Sequence, residues 1–105
     1  MIDLNRQVEV LNKIVSIMHS SADPGYSSMR CEFEYDPGEG AWSAGAKFSY
    51  LINGRVISEH LSSAGVAYEL LHDLHEVMKS HSGGDWRSLV VDLGEDGKVN
   101  TRFSY

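Results

Sequence analysis

The spacing of hydrophobic residues near the start of the chain predicts an amphipathic helix from Ile2 to about Ser20. Apolar side chains recur there at intervals of three and four and share one stripe: Leu4, Val8, Leu11, Val15 and Met18. Three more widen the stripe on one flank: Val10, Ile14 and Ile17. The extra width indicates either that the helix is buried against a sheet or that part of its apolar surface remains exposed to bind a partner.

After a loop around Pro24-Gly25 the pattern changes to alternation, which is typical of half-buried strands. In the first such strand Met29, Cys31, Phe33 and Tyr35 point one way, and Arg30, Glu32 and Glu34 point the other. Asp36-Pro-Gly-Glu-Gly40 then turns the chain. The alternation resumes with five apolar positions: Trp42, Ala44, Ala46, Phe48 and Tyr50. Trp42 and Tyr50 fit either the core or an interface.

Asn53-Gly54 is the strongest local signal, because both residues accept the positive φ of a type I′ turn. It predicts a hairpin that pairs Ala46–Ile52 with Arg55–Leu61. The predicted partners are Tyr50 with Ile57, Phe48 with Glu59, and Ala46 with Leu61. This register places Glu59 on the apolar face, so either the hairpin has a bulge or Glu59 lies at the rim of the sheet.

A second helix is predicted from about Gly65 to Ser80, capped by Ser62-Ser63 and ended by Gly83-Gly84. Its apolar face is expected to comprise Val66, Ala67, Leu70, Leu71, Leu74, Val77 and Met78. Two final strands follow Trp86, joined by a turn at Gly94-Glu-Asp-Gly97. The order α-β-β-β-α-β-β predicts one α+β domain over residues 1–105, with a five-stranded antiparallel sheet and both helices on one face.

Composition narrows the classes of function. The chain has 15 acidic residues against nine Lys and Arg, a formal charge of −6. That charge argues against direct nucleic-acid binding and favours either a basic partner or simple solubility. Cys31 is the only cysteine, so an intramolecular disulfide is excluded and a reducing compartment is expected. No apolar run matches a secretory signal or a membrane helix, so we expect a cytoplasmic protein without membrane contact.

His72-Asp-Leu-His-Glu76 is the segment most suggestive of a metal site. A helical projection places His72, His75 and Glu76 opposite the apolar face, so we expect them to project into water. His19, His60 and His81 are scattered, and Cys31 is expected in the core. The sequence therefore predicts no catalytic residues, no metal and no cofactor. A hydrolase using Glu59 and His60 is a reserve hypothesis, which requires both side chains on one sheet face.

Two groups of acidic residues are the candidate binding surface. The first is Glu32, Glu34, Asp36 and Glu39, and the second is Asp92, Glu95 and Asp96. Carboxylates this close repel one another slightly, and they attract a basic partner. The alternative is a solvated face without a binding role.

The second half of the chain resembles the YezG-like antitoxin and immunity proteins. The resemblance rests on Trp86-Arg-Ser-Leu-Val-Val, on Asp96-Gly-Lys-Val-Asn-Thr-Arg-Phe-Ser-Tyr105, and on the strand Phe48-Ser-Tyr50 with its hairpin ending near Glu59-His60. It covers the chain from Ala46 onward. It implies an α+β fold and a cytoplasmic immunity protein that neutralises a cognate bacterial toxin, commonly a nuclease.

Two functional hypotheses follow. In the first, the chain is a monomer or weak homo-oligomer that inhibits a basic toxin domain by binding it. In the second, it is a non-catalytic regulatory or homo-oligomeric domain that associates through the flank of the first helix at Val10, Ile14 and Ile17.

Overall fold

The computed structural model describes the backbone of residues 2–82 and 84–105, and the side chains of residues 5–80 and 84–105. Seven elements follow one another along the chain: α1 Ile2–Ser21, β1 Ser28–Asp36, β2 Ser43–Ile52, β3 Arg55–Glu59, α2 Ala64–Ser82, β4 Ser88–Leu93 and β5 Val99–Ser104. The predicted order and the predicted α+β class are confirmed.

The five strands form one antiparallel sheet in the order β3-β2-β1-β4-β5. The two hairpins, β2–β3 and β4–β5, lie on either side, and β1 joins them by pairing with both β2 and β4. Strand β1 is therefore central. Its inward side chains Cys31 and Phe33 are fully buried, whereas its outward neighbours Glu32 and Glu34 are exposed. Both helices pack on the inward face.

The buried face of α1 differs from the predicted stripe. Val10, Ile14 and Met18 are fully buried, whereas Val8 is 52% exposed and Leu11 and Val15 are half-buried. At 100° per residue the buried face is rotated by roughly 80° from the predicted one. The presumed flank is thus the core contact, and Val10 and Ile14 are unavailable to a partner. The side chain of Leu4 lies outside the described residues.

The β2–β3 hairpin confirms the predicted turn and most of the predicted register. Asn53 and Gly54 have φ angles of 51° and 77°, and the partners are Tyr50 with Ile57 and Phe48 with Glu59. The predicted pairing of Ala46 with Leu61 is wrong, because β3 ends at Glu59. Glu59 lies at the rim, where its Oε1 accepts a 3.0 Å hydrogen bond from the Tyr50 hydroxyl. No bulge is needed.

Main-chain hydrogen bonds define both ends of α2. The Ser63 carbonyl accepts the amide protons of Val66 and Ala67, and the Gly84 amide donates back to the Met78 carbonyl over 3.3 Å. This last bond fits the predicted glycine stop, although Gly83 itself lies outside the described residues.

Candidate interaction surface

The face of the sheet that points away from the helices is the candidate interaction surface. Because side chains alternate along a strand, every second residue of β1 and β2 points away from the helices. The outward set on these two strands is Ser28, Arg30, Glu32, Glu34 and Asp36, with Ser43, Gly45, Lys47, Ser49 and Leu51. Charged members of this set are exposed. The face is therefore polar and open to solvent.

Basic residues interrupt the acidic pattern in the middle of this face. The Arg30 guanidinium donates to both carboxylate oxygens of Asp92, at 2.6 and 3.3 Å. The hydrogen bond to Asp92, followed by its charge, raises the pKa of Arg30. Lys47 lies directly across from Glu32 in the neighbouring strand. Asp92 and Glu32 thus have basic neighbours that their positions in the sequence do not reveal.

The acidic character persists at one end of the face. Glu34 lies between Gly45 of β2 and Ser88 of β4, so no base is directly opposite it. Asp36 ends β1, its Oδ1 accepting the Gly38 amide at 2.9 Å and lying 4.0 Å from Arg87. Glu39 follows in the exposed β1–β2 loop. We call Glu34, Asp36 and Glu39 the acidic end.

A shallow depression lies at the acidic end. It is lined by Glu34, Tyr35, Asp36, Ser43, Ala44, Gly45, Arg87 and Ser88. Gly45 contributes to this opening, because a Cβ built there would have no neighbouring atom within 4 Å. Two carboxylates at the margin of a depression suit a Lys or Arg side chain from a partner.

The second predicted acidic group lies at the opposite end of the sheet. Glu95 and Asp96 are in the β4–β5 turn, and Asp96 Oδ1 accepts the Lys98 amide at 3.0 Å. Antiparallel pairing places this turn beside the start of β1, about 30 Å along the strand from Asp36. The structure therefore separates the two acidic groups, and Asp92, bonded to Arg30, lies between them.

The prediction that His72 and His75 project into water is wrong. His75 is fully buried, and its Nε2 lies 2.9 Å from Asp85 Oδ1. His72 is half-buried, stacked on Trp42 at 4.7 Å between ring centroids, with its Nδ1 2.6 Å from the Tyr35 hydroxyl. Of this segment, Glu76 is exposed as predicted. As in α1, the buried face of α2 is rotated about the helix axis relative to the predicted face. The observed buried face contains Ala67, Leu71, Leu74 and His75.

Aromatic rings enclose His75. The Tyr35 ring centroid is 4.4 Å from that of His75, and Trp86 meets the imidazole edge-on at 5.2 Å. His75 Nδ1 and Trp86 Nε1 are both buried, and neither has a hydrogen-bond partner among the described residues. Burial, followed by the charges of Glu76 and Asp85, raises the pKa of Tyr35. This cluster of side chains joins α2 to β1 and to the segment before β4.

The remaining residues considered for chemistry, Cys31, His19 and Glu59, each lie in the core or contact a neighbouring side chain. Cys31 is in the core as predicted, where burial, and secondarily the charge of Glu32, raises its pKa to about 12. His19 Nδ1 lies 2.5 Å from the Tyr26 hydroxyl, so this histidine has a partner close in sequence. Glu59 is oriented by Tyr50. Within residues 5–80 and 84–105, no three His, Cys, Asp or Glu side chains are grouped to hold a metal ion.

Neither helix, over the residues described, has the length and hydropathy needed to traverse a bilayer.

No family model matches the chain. The chain is similar to a curated "Chorionicgonadotropic hormone-like protein" from Stenotrophomonas maltophilia, to which it is 35% identical over 78 residues. The match includes 71% of this chain and 18% of that protein. The chain is thus similar to a segment shorter than one-fifth of that relative.

Proposed function

We propose that this chain is a cytoplasmic immunity protein, without catalytic activity of its own, that binds a cognate toxin domain and neutralises it. The partner is a basic domain of the kind a nuclease presents to its substrate. The observation that carries the proposal is the acidic end, where exposed carboxylates border an open depression. The resemblance to YezG-like proteins supports the same class of partner.

Electrostatics support the acidic end as the docking site. The net charge of −6 attracts a basic domain over a distance of about 8 Å at physiological salt. At contact, specificity requires carboxylates that are not already bonded to bases of their own chain. Glu34 and Glu39 meet that requirement better than Asp92, which Arg30 occupies.

Co-expression with the toxin gene encoded beside this one tests the proposal. The wild-type chain is expected to rescue growth and to copurify with the toxin domain. The variant Glu34→Lys/Glu39→Lys is expected to lose rescue and to bind at least about tenfold more weakly, because two attractive contacts become repulsive. Glu69→Lys/Glu76→Lys is the matched control, since it changes the net charge equally at exposed sites on α2, outside both acidic groups.

Filling the depression is an independent test. Gly45→Arg fits the backbone, because a Cβ at this position meets nothing within 4 Å and its φ is not in the left-handed region. The new guanidinium would lie opposite Glu34 and occupy the space offered to the partner. Binding is expected to fall strongly in Gly45→Arg and to persist in Gly45→Ala. Equal binding by both variants would exclude this depression as the docking site.

A further inference from the structure

Strands β3 and β5 are the two edges of the sheet, and each exposes main-chain groups on its outer side. In an antiparallel pair, alternate residues direct both N–H and C=O toward the neighbouring strand. The remaining residues direct theirs away. Which residues these are follows from the register and from the hydrogen bonds beside the turns.

For β5, the outward main-chain groups belong to Val99, Thr101 and Phe103. The Gly94 amide donates to the Lys98 carbonyl over 3.1 Å, which fixes the hydrogen-bonded phase of the β4–β5 ladder. Hydrogen-bonded pairs recur at every second position of an antiparallel ladder. The next such pairs are therefore Asp92 with Asn100 and Val90 with Arg102. The intervening β5 residues therefore present three sets of N–H and C=O groups along one edge, and no described residue pairs with them.

The two edges differ in their protection against pairing. On β3, the side chains of Arg55 and Glu59 lie on the helix-bearing face, and inward charges of this kind oppose the addition of another strand. On β5, the same face carries Val99, Thr101 and Phe103. Val99 is 44% exposed, and Phe103 is half-buried against Trp86 at 5.3 Å. The β5 edge is therefore uncharged on its inner face and open.

We propose that β5 pairs antiparallel with β5 of a second copy of this chain, about a twofold axis at Thr101. This register joins outward main-chain groups to outward main-chain groups, as Thr101 meets the partner's Thr101 and Val99 meets the partner's Phe103. The two five-stranded sheets become one continuous sheet. Both helical layers then lie on the same side of it.

The side chains of β5 are compatible with this register on both faces. On the helix-bearing face, Val99 and Phe103 of the two copies form a single apolar row across the new strand pair. On the outward face, Arg102 lies opposite the partner's Asn100, and Lys98 opposite the partner's Ser104. No like charges are directly opposite one another, a condition that cross-strand pairing favours.

The alternative occupant of this edge is an extended segment of a different protein. The second copy is favoured because the inner-face sequence of β5, apolar at both ends with Thr101 in the middle, complements itself when reversed. The interface is small, so we expect a dimer of the transient class. Its formation should be promoted by added salt, which screens the repulsion between two chains of charge −6.

Cysteine cross-linking tests the register. Directly opposite residues in a hydrogen-bonded pair have Cα atoms about 5.5 Å apart, within the range that a disulfide spans. Thr101→Cys should therefore form a covalent dimer under mild oxidation. Val99→Cys alone should not, but a mixture of Val99→Cys and Phe103→Cys should. The buried Cys31 thiol contributes no background reaction. Ser58→Cys, on the β3 edge, is the matched control.

Sedimentation velocity over a micromolar concentration series tests the association itself. Thr101→Pro removes an outward N–H while leaving the β4–β5 ladder intact, so it should weaken dimerisation by about tenfold or more. Ser58→Pro makes the same change on the β3 edge and should leave dimerisation unchanged. Circular dichroism confirms that both variants fold. A wild-type chain that remains monomeric throughout, or Thr101→Cys cross-linking no faster than Ser58→Cys, overturns the proposal.

Discussion

At the scale of single residues, the buried imidazole of His75 has the most consequences. Its contact with Asp85 orients the ring, and the Nε2–H donor assigned from this geometry leaves Nδ1 as a buried acceptor. Trp86 adds a buried donor that no described residue accepts. Both groups lose hydration on folding without an equivalent bond in return. We interpret the cluster as a polar contact that fixes α2 against the segment leading into β4.

The Asp85 carboxylate predicts a specific dependence of stability on pH. Hydrogen bonds from Arg87 first, and then from His75, lower the pKa of Asp85 below its ordinary value of 3.8. A depressed pKa contributes stability above the unfolded-state value, and that contribution is lost as pH falls through the folded-state value. Asp85→Asn keeps an oxygen acceptor for His75 but has no charge.

We expect Asp85→Asn to have a lower melting temperature than wild type at neutral pH, with the difference shrinking as pH falls below about 3.8. Thermal unfolding followed by circular dichroism at several pH values measures this. Glu39→Gln, which removes a carboxylate from the exposed β1–β2 loop, is the control. A difference between Asp85→Asn and wild type that widens toward acid would contradict the assigned role.

At the scale of elements, α1 shows how tertiary packing selects one face of a helix with apolar residues over more than half its surface. The same set of apolar residues permits several orientations, and contact with the sheet and α2 chooses the one that buries Val10, Ile14 and Met18. The other apolar positions then lie at the margins or in water.

This orientation predicts unequal losses of stability for two aliphatic residues of the same helix. Ile14→Ala should lower the free energy of unfolding by roughly 2–5 kcal/mol, because it leaves a cavity in the core. Val8→Ala, at a position 52% exposed, should change it by no more than about 0.5 kcal/mol. Urea denaturation measures both. Equal losses would indicate that α1 has a different rotation.

The strands were more predictable than the helices. A period of two permits only two choices of face, and the wrong choice would bury Glu32 and Glu34, so the inward set on β1 follows directly from the sequence. A helix with apolar residues on many sides has no such constraint, and the errors at His72 and His75 have this cause. The order of strands brings Arg30 to Asp92 and Lys47 to Glu32. Local sequence patterns do not reveal contacts between residues this far apart along the chain. The pairing of acidic with basic residues in the middle of the outward face was therefore not predicted.

At the scale of the whole molecule, the net charge of −6 is unevenly distributed over the surface. Part of it is compensated within the sheet by Arg30 and Lys47, whereas Glu34 and Glu39 of the acidic end are exposed and have no base directly opposite them in the sheet. If the proposed partner is a basic toxin domain, its association with this chain should slow as ionic strength rises, since added ions screen the attraction.

Stopped-flow or surface-based kinetics at several salt concentrations measure this association rate. We expect Glu34→Lys/Glu39→Lys to reduce both the rate at low salt and its dependence on salt. The dissociation rate should rise as well, because these residues make contacts and do not only steer. An association rate of the wild-type chain that is independent of salt would argue against a basic partner.

The alternation along β1 has a consequence for how this protein can change over time. Odd-numbered residues from Met29 to Tyr35 hold the interior together, and even-numbered residues from Arg30 to Asp36 face water. Substitutions at the even positions alter the exposed chemistry at little expense in stability. One strand thus combines two interleaved sets of residues, one that specifies the fold and one that can vary with the surface chemistry a partner requires.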